Sequence, residues 1–300
     1  MKSLTPEDLP TAELHQLLLG SVGPRPIALA STISRDGSVN LSPFSFFNVF
    51  SAHPPVLIFS PARRVRDNTT KHTLENAQET REVVINVVNY AMTEQMSLSS
   101  TEYGRETNEF KKSGFTELPS EQVRPPRVAE SPVQFECDVR EIVALGTEGG
   151  AGNLIMAEIV RMHINEDILN EQGKIDPFRI DLIARMGGDW YCRAQGDALF
   201  EVAKPLRKKG IGVDALPKNI RQSFILTGND LGKLGNVESI PSPEEVQEYA
   251  QSAEIRNLLE SASDGLEIRE ILHQYAAELL ERGAVQNAWK TLLCDPLNRA

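Results

Sequence analysis

Residues Arg25 to Pro61 constrain the fold more than any other part of this chain. The run Ile27-Ala28-Leu29-Ala30-Ser31-Thr32-Ile33 breaks at Arg35-Asp36-Gly37. Asp-Gly between two β-prone runs predicts a tight hairpin, because these residues tolerate the positive φ that such turns demand. Beyond the turn, Asn40-Leu41-Ser42-Pro43-Phe44-Ser45-Phe46-Phe47-Asn48 crowds polar and aromatic residues together, and after His53-Pro54-Pro55 the run Val56–Phe59 is wholly apolar. The stretch has the look of strands buried on both sides, yet it carries Ser42, Ser45, Asn48 and Ser51. Buried polar groups need partners, so these residues either feed a hydrogen-bond network or face a polar ligand. In one unbroken extended strand, Phe44, Phe46 and Asn48 would share a face, with Ser45 and Phe47 on the other.

The remaining chain supplies further strands with no long helices between them, which favours an antiparallel barrel over a βαβ sheet. Strands are predicted at 82–88, 133–144 and 153–164, the last two separated by Gly146-Thr147-Glu148-Gly149-Gly150-Ala151-Gly152, and 183–191 closes the barrel-like part. Val133, Phe135, Cys137 and Val139 alternate with Gln134, Glu136, Asp138 and Arg140, as in a strand with one wet face. Short helices are predicted at 11–19 and 73–80, the latter capped by Thr73 with Asn76 and Gln78 exposed. Residues 92–115 look helical and then irregular, and prolines 119, 125, 126 and 132 mark a surface excursion. Near Lys204 the character changes. A linker over 204–212 precedes a helix from Ser242 to about Ser261 and an amphipathic helix from Gly265 to Arg282. The expected domains are 1–205, mainly β, and 206–300, a mostly helical extension.

Composition enters chiefly by exclusion. A net charge of −11 argues against a nucleic-acid partner. No apolar run approaches the length of a membrane span, the N-terminus lacks the pattern of a signal peptide, and three scattered cysteines suit a reducing cytoplasm, the expected location. The five histidines form no ligand spacing, so no metal site is expected; His163 could be packed or face a ligand. G-x-S-x-G, a P-loop and a dinucleotide fingerprint are all missing, and the loop at 146–152 is expected to be a plain hairpin connection. No catalytic side chain can be named, which points to chemistry carried by a bound cofactor. The basic loop Arg63–Thr73 contains Arg63, Arg64, Arg66, Lys71 and His72 among hydroxyls and ahead of a helix. It is either a solvated loop or a binding site for a phosphate monoester.

Three segments carry a resemblance: Pro24–Thr32, Asn40–Asn48 and Pro54–Ser60. With Lys71-His72-Thr73-Leu74-Glu75-Asn76, the strand at 82–88 and Ala184–Tyr191, the chain resembles the flavin reductase-like family over roughly residues 15–200. The resemblance implies a six-stranded, antiparallel Greek-key split barrel with flanking helices, a homodimer and FMN near the subunit interface. It implies that the segment with Asn40, Ser42, Phe44, Ser45, Phe46 and Asn48 lines the flavin, Ser45 and Asn48 supplying polar contacts. The loop from Ser60 to Thr73 would hold the phosphate through Arg64, Lys71 and Thr73, and Arg185, Gly188 and Tyr191 would lie near the isoalloxazine. His72 stands where many relatives carry Asp. The implied activity is reduction of flavin or another small-molecule acceptor by NAD(P)H. The alternative is a non-catalytic flavin-binding or electron-carrier protein whose C-terminal helices dock a partner.

Overall fold

The computed structural model describes residues 1–206, 209–261 and 264–298, so Arg207 and Lys208 of the expected linker lie outside the described residues. The chain divides into two units, Met1–Phe200 and Glu201–Ala300.

The first unit is built on β1 (Ala28–Ile33), β2 (Val39–Phe44), β3 (Phe47–Ala52), β4 (Pro55–Phe59), β5 (Glu82–Val87), two short strands β6 (Glu117–Leu118) and β7 (Arg127–Val128), then β8 (Val133–Ala144) and β9 (Asn153–Ile164). Seven of these form one sheet in the order β2-β1-β5-β8-β9-β4-β3, every neighbour antiparallel. The sheet must be rolled. Six spacings would hold the edge strands of a flat sheet roughly 29 Å apart. The chain steps from β2 at one edge to β3 at the other through Ser45 and Phe46 alone, a reach of about 11 Å. The result is a barrel split between β2 and β3, with seven strands where the resemblance implied six. β10 (Ile183–Arg185) and β11 (Tyr191–Arg193) form a separate hairpin, tied to the start of β1 through reciprocal backbone bonds between Arg25 and Arg185.

The barrel is filled from one side by Ala28, Ala30, Phe44, Phe59, Ile85 and Ile155, together with Leu74 and Ala77 of α2 (His72–Thr80). The alanines of β1 leave room for that helix. On the other side Leu29 and Leu41 pack with Met96 of α3 (Thr93–Leu98) and Phe110 of α4 (Glu109–Ser113). β1 is therefore buried on both faces, as its unbroken apolar run suggested. α1 (Thr11–Ser21) precedes it, where the helical spacing of leucines placed a helix.

Four expectations change. Thr73 does not cap α2: Lys71 occupies the cap position with no side-chain bond, while Thr73 is wholly buried. Asn76 is also buried, its amide donating to Thr32 Oγ1 at 3.2 Å. The wet face of β8 is dry at Gln134 and Glu136. The proline-rich excursion folds back as the β6–β7 hairpin, burying Val123, and backbone N–H groups of Glu121, Gln122 and Val123 donate to the Glu136 carboxylate. The helix expected over 242–261 is two helices. Ser252 caps a new one after Tyr249, so the second unit contains α5 (Lys218–Arg221), α6 (Gly228–Gly235), α7 (Pro243–Tyr249), α8 (Ala253–Glu260), α9 (Gly265–Glu281) and α10 (Val285–Leu293). Trp289 of α10 is fully buried there and donates to the Leu234 carbonyl. Among the described residues no helix is long and apolar enough to cross a membrane, and no cluster of possible metal ligands occurs.

Candidate functional site

The open edge of β2 borders a cleft with two connected parts. Strand period puts Asn40, Ser42 and Phe44 on one face of β2. Asn40 and Ser42 line the first part with Arg64, Lys71, Thr73, Glu102 and Glu109. Phe44 and Ser45 line the second, about 190 Å³, with Ile27, Met96, Arg185 and Tyr191. Ser100 lines both.

The first part brings cations, hydroxyls and a helix start together. α2 starts there with no side chain capping its first amides, and Lys71 stands at its mouth. Such a helix start favours negative charge. Among the described residues the Lys71 ammonium has no carboxylate or hydrogen-bond partner; it lies 5.0 Å from the centroid of the Phe44 ring. Burial, then the neighbouring Arg64, pushes its pKa down, and the Glu102 carboxylate across the same depression opposes that in part without a direct bond. Arg64 donates to Glu102 at 3.1 Å, to Thr69 Oγ1 at 2.9 Å and to the Thr70 carbonyl. Asn40 Nδ2 donates to Thr73 Oγ1 at 2.8 Å, which fixes both side chains at the floor. Glu109 is buried and accepts from the edge N–H of Leu41 at 3.1 Å; burial raises its pKa and that bond lowers it, the net direction being upward.

The basic loop owes its shape to the glycines across from it. Arg63 N–H donates to the Ala151 carbonyl and Gly150 N–H to that of Arg63. A Cβ on Gly149 would lie 3.1 Å from backbone atoms of Arg64 and Val65. The 146–152 loop is a hairpin connection, as expected, and also the backing of the cationic loop.

The second part is organised by Arg25. Its guanidinium is buried and donates to the carbonyls of Leu19 (2.6 Å) and Val22 at the end of α1 and of Met186 (2.8 Å), and to Ser45 Oγ at 3.4 Å. It thereby fixes helix end, β10–β11 hairpin and the β2–β3 crossing to one another. Burial first, and Arg185 second, depress its pKa. Arg185 stacks 4.6 Å from the centroid of Tyr191 with no carboxylate in salt-bridge range among the described residues. Each end of the cleft thus carries a cation that, among the described residues, makes no ion pair: Lys71 at one and Arg185 at the other.

Of the sequence candidates, Asn40, Ser42, Arg64, Lys71 and Thr73 come together at one end, and Phe44, Ser45, Arg185 and Tyr191 at the other. The rest lie elsewhere. The chain bends at Ser45 and Phe46, so the unbroken strand that would align Phe44, Phe46 and Asn48 does not exist. Phe46 turns outward to an edge-on contact with His15. Asn48 is exposed, accepts from its neighbour's N–H and borders a separate apolar cleft. Ser60 is buried, and its hydroxyl has no hydrogen-bond partner among the described residues. Gly188 supplies a left-handed turn, φ 57°, between β10 and β11. Sequence reasoning missed the end of α3 and the segment after it, where Ser97, Ser99, Ser100, Thr101, Glu102 and Tyr103 line the cleft. Its signal was available: a run of hydroxyls closing a short helix.

The cleft is cationic and hydroxyl-lined at one end, and at the other it offers the apolar faces of Ile27, Phe44 and Met96 beside Arg185 and Tyr191. The comparisons agree in fold and in kind. An uncharacterized protein of Aquifex aeolicus is 39% identical over 189 residues, covering 63% of this chain and 94% of the relative. Nitrilotriacetate monooxygenase component B of Bacillus cereus superposes with a TM-score of 0.63 at 27% identity, covering 67% of this chain and 98% of that one. The 2-nitrobenzoate 2-nitroreductase of Pseudomonas fluorescens gives 0.58 at 28%, covering 70% and 100%. The profile of the flavin reductase like domain matches residues 20–179, a span that takes in β1 through β9 and the basic loop. With the rolled sheet, the split beside β2 and this match in accord, the chain belongs to the flavin reductase-like family.

Proposed function

We propose that this protein is an FMN-binding oxidoreductase that uses NAD(P)H to reduce flavin or another small-molecule acceptor. The observation that carries the reading is the pair of cations, Lys71 and Arg185, that stand outside any ion pair among the described residues at opposite ends of one cleft, in a chain of net charge −11. Lys71, Arg64, the first amides of α2 and the hydroxyls near Ser100 would hold the phosphate. Phe44, Ile27, Met96 and Tyr191 offer apolar faces to the ring, and Ser45 a polar contact at its edge. FMN, when bound, supplies the capacity to accept a hydride and pass electrons on. The residues position it and make the ring end electropositive, which favours negative charge arriving there. Similarity to a monooxygenase component and a nitroreductase supports redox chemistry in this fold.

The reading includes a homodimer in the cytoplasm. An apolar cleft of about 400 Å³ lined by Phe47, Val49, Leu57, Phe135 and Ala184 lies beside the exposed Phe50 and supports a second copy seated there. Light scattering should give twice the chain mass. The functional test is anaerobic mixing of the FMN-loaded protein with NADH or NADPH. Loss of absorbance at about 450 nm is expected with one of them; a spectrum unchanged by either would refute the reductase assignment.

A further inference from the structure

We propose that Glu102 is a built-in competitor for the phosphate end of the cleft, which makes FMN an exchangeable ligand and not a fixed prosthetic group. The inference rests on the FMN reading above.

Glu102 lies in the loop between α3 and α4 and lines the same depression as Lys71, Arg64 and Thr73. Its carboxylate accepts from Arg64 Nε at 3.1 Å and from Arg66 Nη2 at 2.7 Å. A phosphate is best held bidentately by a guanidinium edge. On Arg64, Nη1 is committed to Thr69 and Thr70, and Nε, half of the other edge, is committed to Glu102. A phosphate can take that edge only when Glu102 gives it up, and Glu102 left in place would meet the incoming dianion as a like charge. Hydrogen bonds from Arg66 and Arg64 hold the Glu102 carboxyl below the usual carboxylate range, so it is ionised throughout the neutral region. Its side chain is half exposed, which lets it swing out to water when displaced. Lys71, which makes no hydrogen bond or ion pair among the described residues and feels Glu102 only across the depression, makes the first contact, and Glu102 then sets how firmly the phosphate is kept.

FMN and riboflavin differ only by the phosphate, so the ratio of their dissociation constants isolates this end of the site. Flavin fluorescence titrations on the full chain would compare the natural protein with Glu102→Gln, Glu102→Ala and Lys71→Met. In both Glu102 variants the preference for FMN over riboflavin should rise about three- to tenfold, the size expected for a partly screened like charge, and FMN should dissociate more slowly. If the preference stays the same or falls in both Glu102 variants while Lys71→Met abolishes it, Glu102 merely orients Arg64 and the inference is overturned with the FMN site intact. If Lys71→Met also leaves the preference unchanged, the placement of the phosphate itself fails, and the inference with it.

Discussion

Lys71→Met separates binding from folding more cleanly than any other substitution in the cleft. The ammonium is largely removed from water and makes no hydrogen bond or ion pair among the described residues; it lies 5.0 Å from the centroid of the Phe44 ring and feels Arg64 and Glu102 at longer range. Met keeps the length and apolar stem and removes only the charge. A hydrogen bond to a charged group contributes about 1.5–3 kcal/mol, so loss of the Lys71–phosphate contact should weaken FMN by roughly 10- to 150-fold. Riboflavin, which lacks the phosphate, should lose little. Stability moves the other way. Burial lowers the Lys71 pKa in the folded chain, so the unfolded chain binds more protons between that depressed value and the ordinary one. Stability therefore rises with pH across that window, and below it the charged lysine is a standing cost. Removing the charge should leave the melting temperature of the flavin-free protein unchanged or higher at neutral pH. Titration with both flavins and a thermal melt suffice. Equal losses for FMN and riboflavin, or a lower melting temperature without flavin, would refute the reasoning.

Other positions report on other parts of the construction. Arg25→Met leaves the carbonyls of Leu19, Val22 and Met186 without their buried donor; a cost of about 2–4 kcal/mol is expected in a urea melt. Gly149→Ala places a methyl 3.1 Å from the backbone of Arg64 and Val65, so FMN affinity should fall more than riboflavin affinity while the sheet's circular dichroism is retained. Glu136 is opposed by desolvation but held ionised by N–H groups of residues 121–123 and by His163 at 2.7 Å, the net effect lowering its pKa. Because the folded pKa is depressed, its contribution is complete above an unfolded value of about 4.3 and is lost as the pH falls through the folded value. Hydrogen exchange in the 120–124 segment should accelerate first on acidification, and in Glu136→Gln it should already be fast at neutral pH.

The strands were legible because their signals are local. Asp36-Gly37 marks the β1–β2 hairpin, and the alternation from Val133 marks β8 to the residue. Polar residues were misjudged wherever a remote segment decided their surroundings. Asn76 and Glu136 look like solvent-facing residues in sequence, and each is buried only because another segment arrives: β1 with Thr32 in one case, the 119–128 hairpin in the other. The resemblance placed Phe46 and Asn48 with the cleft residues, and the period-2 pattern that would align them with Phe44 stops where the chain bends at 45–46. Arg25 carried no flag at all, since a lone arginine between prolines has no pattern; only the meeting of α1, β10 and Ser45 around it reveals its role.

The polar residues that looked misplaced between Arg25 and Pro61 follow from the topology. A sheet whose first and last strands are joined by two residues has to roll, yet β2 remains unpaired along its outer edge. An open edge exposes backbone groups that invite pairing with another chain. Here one such group, Leu41 N–H, is taken by buried Glu109, Pro43 in the same strand has no N–H to present, and the side chains beside them are Asn40 and Ser42. A strand that has to end the sheet is thus finished with polar side chains and covered by the α3–α4 segment at a distance that leaves a cleft. The polar character that an interior strand could not tolerate is what an edge strand bordering an open cleft can carry. The position of the site is therefore a consequence of where the barrel fails to close. An apolar residue at 42 should narrow the split and remove flavin binding with stability kept or raised, whereas one at 40 should lower stability, because the buried Thr73 hydroxyl loses its donor.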